Sequence, residues 1–387
     1  KIRSLFTDQR IVEVGAQFGV LLIIGPNGKE YEIAQFRTER NYDGRKPGEV
    51  SLTDTLREDV RRRDFTINGL AMEESGEIID HVEGMEDLKN KTIRAIGEAG
   101  QRFREDYLRP LRAIRFTALL DGEIEEDTWK AINEVAEEIT SIAWERIREE
   151  FVKLLQTSRS ARGVELMRNC GLLRHVLPEL TANIDVSQPE EYHPEGDVFE
   201  HSLKALEVAD ELDYSPLVKM AVLLHDVGKK SAYRRSEGMH MGGHENIAAE
   251  LIEDIGERLR LSNRETQFVR WLVENHMRVA SLPQMNKAKQ VKLIQYRHNT
   301  SYSVDQVRCR FSHFSALFQV LIADSQASAH QSGGWLPALK QFVKVLPHVH
   351  DLDRLAGARE IINGNDLLEL GLQEGPLLGE ILEELHH

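Results

Sequence analysis

Cysteine is nearly missing: the 387 residues hold two, Cys170 and Cys309, far apart and outside any metal-ligand spacing. A disulfide framework and a thiolate zinc site are thereby excluded, and a reduced cytoplasmic setting is the default. No apolar run approaches the roughly 20 residues that span a bilayer, and the first residues lack a signal-peptide profile, so no membrane partner is expected. Net positive charge is lacking as well. The formal balance of -15 argues against indiscriminate nucleic-acid binding but leaves room for local basic strips. Two occur, Arg61-Arg62-Arg63 and the series Arg102, Arg104, Arg109, Arg112 and Arg115. By themselves they read equally as solvated helix faces. Internal repeats and low-complexity tracts are absent. A content of 41% hydrophobic and 29% charged residues suits a globular protein. The length calls for about two to four domains.

Residues 1–98 carry an α/β pattern. Short strands are expected at 12–14, 20–24 and 31–36, the last two separated by Gly25-Pro26-Asn27-Gly28, a strong hairpin signal. Alternation along the third strand puts Glu32, Ala34 and Phe36 on one face. The polar Gly/Pro stretch 41–50 reads as a mobile loop. Beyond it helices are expected at 103–120, 128–139, 144–155 and 161–170. A Pro/Glu/His-rich break at 188–196 precedes a second helical block at 198–212, 217–227, 245–259, 264–276 and 313–329. Ser262 followed by Glu265 is a capping-box signal for the helix at 264. Gly333-Gly334-Trp335-Leu336-Pro337 marks a boundary before the tail, so the expected domains are 1–98, 99–187, 188–332 and 333–387.

Two runs carry the first chemistry: Arg62-Arg63-Asp64-Phe65-Thr66-Ile67-Asn68, and Glu105-Asp106-Tyr107-Leu108-Arg109. On the expected helix Asp106 and Arg109, at i and i+3, project from one face. A carboxylate accepts from the exocyclic amine of cytosine or adenine, while a guanidinium donates to the adjacent ring nitrogen. Uracil and guanine present the reverse order, so one Asp/Arg pair suffices to take C and A and refuse U and G. The plain alternative is a helix-stabilising ion pair of roughly 0.2–0.5 kcal/mol. Pro110 should kink this helix unless it lies in a first turn.

Together the two runs resemble the nucleotide-binding half of bacterial class II tRNA nucleotidyltransferases, the CCA-adding and poly(A) polymerase family. Further similar stretches are Gln17-Phe18-Gly19-Val20, Tyr31-Glu32-Ile33, Phe36-Arg37-Thr38-Glu39 and Trp144-Glu145-Arg146-Ile147. Asp43-Gly44-Arg45-Lys46-Pro47 resembles the family's flexible loop, and Gly364-Asn365-Asp366-Leu367 its C-terminal segment. The resemblance implies that CTP, ATP and tRNA are partners and that Mg2+ serves nucleotidyl transfer. It places Glu105, Asp106 and Arg109 on the base, Asp64 on the ribose 2′-hydroxyl and Arg63 on the nucleotide, with Asn68 supporting the site. Arg112 and Arg115 are candidates for triphosphate or RNA phosphate contacts, with helix-surface solvation an equal alternative. In the family the metal-binding aspartates come from a Gly-Gly turn and a following Asp-x-Asp, both located before the point that matches the start of this sequence, so several tens of preceding residues are expected to be absent. Glu32 is left as a candidate third carboxylate, against a strand-surface role. One departure is local. His81 and Glu83 stand where the family has Pro and Gly, so that loop should be looser at one point and stiffer at another.

Leu223-Leu224-His225-Asp226-Val227-Gly228-Lys229 closes an apolar helix with adjacent His and Asp, and resembles the HD phosphohydrolase signature. His201 upstream and Asp324 downstream complete that family's minimal order of His, His-Asp, Asp. The resemblance implies a divalent Ni, Mn, Co, Fe or Mg ion and attack of metal-bound water on a phosphoester. His240, His244 and His276 are candidates for a second metal position, although lone histidines are more often hydrogen-bonded core or surface residues. One branch of the nucleotidyltransferases carries such a domain, with phosphatase and 2′,3′-cyclic phosphodiesterase activity.

The sequence therefore predicts an α/β nucleotidyltransferase head followed by mostly α-helical neck, HD and tail domains. Within the class, the alternatives are a poly(A) polymerase or an enzyme adding only CC or only A. Outside it, they are an HD phosphohydrolase with a remnant head and an RNA-binding protein without transferase activity.

Overall fold

The computed structural model describes residues 5–15, 20–25, 28–45, 47–188, 196–237, 240–294, 312–328 and 333–350, with Leu368, Gly375 and Gly379. The motifs at 17–19 and 364–367, and Cys309, lie outside the described residues. Two compact units divide the chain, Lys1–Ile142 and Ala143–His387.

The first unit opens with an antiparallel sheet of β1 (Arg10–Gly15), β2 (Val20–Ile24) and β3 (Glu30–Ala34), in that order. Leu22 faces Glu32 across the β2–β3 hairpin. Strand β3 ends at Ala34, so Phe36 leaves the alternating face expected for it. The stretch 41–50 also departs from expectation. It is mostly hairpin: β4 (Arg37–Tyr42) pairs with β5 (Pro47–Leu52), with Arg40 opposite Glu49. Pro47 is tolerated because it is the first residue of its strand. The Asp43 carboxylate accepts from the Arg45 N–H at 3.0 Å and tightens the turn.

Helix α1 (Leu56–Arg61) leads to the short β6 (Ala71–Met72) and β7 (Ile78–Ile79) hairpin and to α2 (Gly84–Lys89). Strand β8 (Thr92–Ile93) pairs in parallel with β9 (Glu123–Ile124). The single helix expected over 103–120 is in fact two, α3 (Ala99–Glu105) and α4 (Arg109–Leu120). Asp106 between them is extended, at φ -152° and ψ 106°. Pro110 lies in the first turn of α4, where its missing N–H costs no helical bond. Helix α5 (Glu126–Val135) follows, then a 3-10 turn at Ala136–Ser141 that shortens the helix expected over 128–139. Phe65, Phe103, Leu111, Ile114 and Ile132, all fully buried, form the core of this unit.

The second unit is built of helices and the turns between them, with no strand among its described residues. It runs through α6 (Trp144–Leu155), α7 (Ser160–Asn169), α8 (Leu173–Val176) and α9 (Pro178–Thr181). Then come α10 (Val198–Glu211), α11 (Pro216–Leu224), α12 (Lys229–Arg235), α13 (His244–Arg258) and α14 (Asn263–Ala280). Helices α15 (Lys287–Ile294), α16 (Ser312–Ala327) and α17 (Leu336–His350) complete it. The capping box at Ser262 and Glu265 is formed in both directions. Helix α11 stops at Leu224, short of the expected 227, which leaves His225 and Asp226 in a turn before α12. Apolar faces of α10, α11, α14 and α16 pack around Phe199, Leu206, Leu223, Leu272 and Phe318. A buried ion pair sits among them. Lys219 lies 2.7 Å from Asp210 and also donates to the Thr157 carbonyl, while Ser160 donates to Asp210 at 2.6 Å. Such a pair survives burial because its remaining donors and acceptors are also satisfied.

Candidate nucleotide site and metal centre

Helix α1 presents Asp59, 1% exposed, three and four residues ahead of Arg62 and Arg63. One carboxylate oxygen accepts from Arg62 Nε at 2.9 Å and Nη2 at 2.6 Å, and from the Arg37 N–H at 3.1 Å. The other accepts from Arg63 Nε at 3.1 Å and Nη2 at 2.9 Å. The two arginines are therefore clamped rather than splayed as part of a basic strip. Arg63 Nη1 also donates to the Asn68 carbonyl at 2.9 Å.

Asp64 is buried in the next network. Its Oδ1 accepts from its neighbour's N–H at 2.9 Å and from Asn68 Nδ2 at 3.0 Å, and its Oδ2 accepts from Arg112 Nε at 2.8 Å. Burial works against its charge, but the Arg112 guanidinium, Asn68 and the Phe65 N–H hold the carboxyl below its ordinary range. Arg112 is thus tied to Asp64, and the Arg115 guanidinium lies 4.0 Å from the centre of the Phe116 ring.

Arg109 is buried at the start of α4. Its Nη1 donates to the Arg102 carbonyl and to Glu105 Oε2, both at 2.6 Å, and its Nη2 donates to the Arg62 carbonyl at 3.0 Å. The two sequence runs therefore meet. The expected placement of Asp106 and Arg109 on one face of a single helix is corrected: Asp106 sits in the break between helices, its Oδ1 accepts from the Leu108 N–H at 3.1 Å, and Arg109 forms an ion pair with Glu105. Pro110 is the physical reason, since it starts a new helix. The turn of the β4–β5 hairpin reaches the same segment, the Tyr107 N–H donating to the Gly44 carbonyl at 3.0 Å. Gly44 has a φ of +85°, and a Cβ there would lie 2.5 Å from the Tyr107 ring, so this approach requires glycine. Glu32 is exposed on β3, and no hydrogen bond or ion pair among the described residues joins it to this network.

In the second unit the sequence candidates converge. His201 Nε2 lies 3.0 Å from Asp324 Oδ1 and 3.9 Å from Asp226 Oδ2. His225 Nε2 lies 3.2 Å from Asp226 Oδ2 and 3.7 Å from Asp324 Oδ1. The other oxygen of Asp226 faces His244 Nε2 at 3.1 Å and His276 Nε2 at 3.9 Å. His244 and His276 thus join the set, with Asp226 between two groups of nitrogens, whereas His240 bonds locally to the Gly242 N–H and Ser236.

The donor chemistry fits a divalent cation. His225, His244 and His276 each bond through Nδ1 to the carbonyl three residues earlier, at 2.7, 3.0 and 2.7 Å. That bond fixes each ring and turns its Nε2 toward the centre, the orientation of a ligating imidazole. The buried His225 Nε2 makes no hydrogen bond among the described residues, and the Nε2 atoms of His244 and His276 face each other at 3.3 Å. Two ring nitrogens this close, both beside Asp226 Oδ1, suit a shared cation. Burial disfavours the charged form of His276, which with the neighbouring His225 brings it down to about 4, so it stays neutral. Burial also opposes charge on Asp226 and Asp324, yet the surrounding histidines, and Lys229 beside Asp226, hold both well below the carboxylate range.

Four residues that build these sites were not singled out from sequence. Asp59 had a signal, its i+3 and i+4 spacing to two arginines. Lys229, 2.6 Å from Asp226, and Gly228 sat in plain view inside the HD motif. A Cβ on Gly228 would lie 2.2 Å from the His244 carbonyl, so glycine lets α13 bring His244 to the centre. Asn183, fully buried before the break, gave no signal.

An α/β head with clamped arginines is followed in sequence by a helical block that gathers an HD-type cluster. Family models agree in order. Residues 1–94 match the poly A polymerase head domain, 123–184 the probable RNA and SrmB-binding site of polymerase A, and 198–300 the HD domain. The chain is 32% identical over 367 residues to the A-adding tRNA nucleotidyltransferase of Deinococcus radiodurans, covering 90% of this chain and 79% of that protein. It is 33% identical over 355 residues to the multifunctional CCA protein of Legionella pneumophila, covering 87% and 81%. The chain belongs to the tRNA nucleotidyltransferase and poly(A) polymerase family. With the CCA-adding enzyme of Streptococcus sanguinis it shares 44% identity over 172 residues, 44% of this chain and only 43% of that relative's length. The fold is similar to that of the Bacillus stearothermophilus CCA-adding enzyme solved with CTP, at a TM-score of 0.55 and 23% identity over 97% of this chain and 78% of that one. No helix among the described residues is long and apolar enough to cross a membrane.

Proposed function

We propose that this protein adds C and A nucleotides to the 3′ end of tRNA from CTP and ATP without a template, and carries a metal-dependent HD phosphohydrolase activity toward phosphomonoesters or 2′,3′-cyclic phosphates. The observation that carries the transferase reading is the bond from Arg109 to the Arg62 carbonyl, which puts the base-reading run against the nucleotide-contacting run. In this reading Asp106 and the remaining N–H groups of Arg109 face the base, with Glu105 fixing the guanidinium. Asp64 takes the ribose 2′-hydroxyl, Arg63 the nucleotide, and Asn68 supports Asp64. Arg112 and Arg115 lie toward phosphate. Residues 1–98 act as head, 99–187 as neck, 188–332 as HD domain and 333–387 as tail, in the cytoplasm.

His201, His225, Asp226 and Asp324 would hold one divalent ion, and His244 and His276 with Asp226 a second. Ni, Mn, Co or Mg suits these ligands. When bound, such an ion acidifies water and polarises a phosphoryl oxygen. Mg2+ serves the nucleotidyl transfer of the head.

Addition of A alone is the second reading, favoured by the long alignment with the A-adding enzyme. Incubating the complete protein with tRNA lacking its tail, and separately with tRNA ending in CC, plus each labelled NTP, decides between them. CCA addition extends both, A addition only the second, and extension of neither overturns the transferase reading. Phosphate release from a 2′,3′-cyclic nucleotide, abolished by chelator, tests the HD centre.

A further inference from the structure

The turn bearing His225 and Asp226 is held by residues that precede the HD match. Helix α11 ends at Leu224 and α12 begins at Lys229, so the backbone groups between them need outside partners. Asn183 supplies one for the turn and another for the first turn of α12. Its Nδ2 donates to the Val227 carbonyl at 3.0 Å and to the Glu179 carbonyl at 2.9 Å, and its Oδ1 accepts from the Lys230 N–H at 3.2 Å. Beside it, Lys230 Nζ donates to the Ala182 carbonyl at 2.6 Å. Farther along, Gln188 Oε1 accepts from Lys229 Nζ at 2.6 Å, and the same ammonium lies 2.6 Å from Asp226 Oδ2. Both Asn183 and Gln188 are buried.

We infer that residues 182–188 are a strut for the metal centre, in which Asn183 sets the backbone of the ligand-bearing turn and Gln188, through Lys229, sets the carboxylate of Asp226. Both are positioning residues; neither touches the expected ion. The inference rests on the HD metal-centre reading above. Groups that orient a ligand from outside the coordination sphere change metal affinity about 10–100-fold when removed. The full polar satisfaction of Asn183 also explains why an amide side chain stands in an otherwise apolar place: an apolar replacement leaves a buried carbonyl and a buried N–H unpaired.

The test is titration of Co2+ into the intact protein, reading its visible absorption bands and its dissociation constant. Asn183→Asp keeps the acceptor and removes the donor. Gln188→Leu removes the hold on Lys229, and Gln188→Glu restores an acceptor. The expected result is Co2+ binding about tenfold weaker, with altered bands, in Asn183→Asp and Gln188→Leu, and recovery in Gln188→Glu. Wild-type affinity and bands in folded Asn183→Asp and Gln188→Leu overturn the strut. If Asn183→Asp fails to fold, the two Gln188 variants decide by the same criterion. A wild-type protein that takes up no Co2+ overturns the metal-centre reading itself, and the strut with it.

Discussion

Arg109 donates from Nη2 to the backbone carbonyl of Arg62 at 3.0 Å, a bond across 47 positions of sequence. It makes the start of α4 and the end of α1 one structural object. Asp59 anchors the other side of that object, so its loss leaves two guanidinium groups short of a partner. Asp59→Asn should lower the unfolding free energy of the first unit by about 2 kcal/mol, since hydrogen bonds to charged groups contribute more than neutral ones and these arginines keep some solvent. Denaturant unfolding measures it; an unchanged midpoint contradicts the clamp.

Glu83 occupies the left-handed region at φ +62°, just ahead of α2, while Asp80 accepts from the Val82, Gly84 and Met85 N–H groups. A non-glycine residue is strained there. Glu83→Gly should raise stability by about 1 kcal/mol, seen as a thermal midpoint a few degrees higher. Glu83 is thus a point of local strain in this loop.

Gly228 lets the start of α13 pack against the turn that carries His225 and Asp226. In Gly228→Ala the new Cβ meets the His244 carbonyl at 2.2 Å and the Ala248 nitrogen at 2.8 Å, both backbone, so α13 must withdraw. Metal analysis should then show about half the wild-type divalent-ion content, with the His201–Asp324 side still loaded. Full occupancy in the variant would count against a two-ion centre.

Asp64 gives a pH dependence with a definite sign. Its carboxyl is held below its ordinary value in the folded state, so the stabilisation is present above the unfolded value of about 3.9 and is lost as pH falls through the folded one. Wild type should exceed Asp64→Asn in stability by a constant margin above about pH 5, and the margin should close below about pH 4. A margin that persists at lower pH contradicts the ion pair with Arg112.

Local signals in the sequence carried far. Helix 144–155 and the Ser262 capping box are set by neighbours a few residues away, and both are formed as expected. The HD cluster was legible through the resemblance that His225-Asp226 carries, whose residue order pointed to His201 and Asp324. What was not legible depends on distant partners. Spacing alone put Asp106 and Arg109 on one helix face, but the chain breaks there, and Arg109 turns to a carbonyl contributed by Arg62. Residues 41–50 read as loop by composition, yet two of their arms find a ladder partner in each other. Asn183 serves a turn 44 residues later, which no periodicity encodes.

In the proposed function Arg109 and Asp106 choose the nucleotide. The most direct measurement is kcat/KM for each of the four NTPs with tRNA in the complete protein carrying Arg109→Lys, which keeps the charge and loses the fork. The value of kcat/KM for CTP and ATP should fall about 10–100-fold, as expected for loss of roughly 1.5–3 kcal/mol of charge-assisted hydrogen bonding. UTP and GTP should change little, so discrimination collapses by the same factor. An active variant with undiminished preference for CTP and ATP would contradict it.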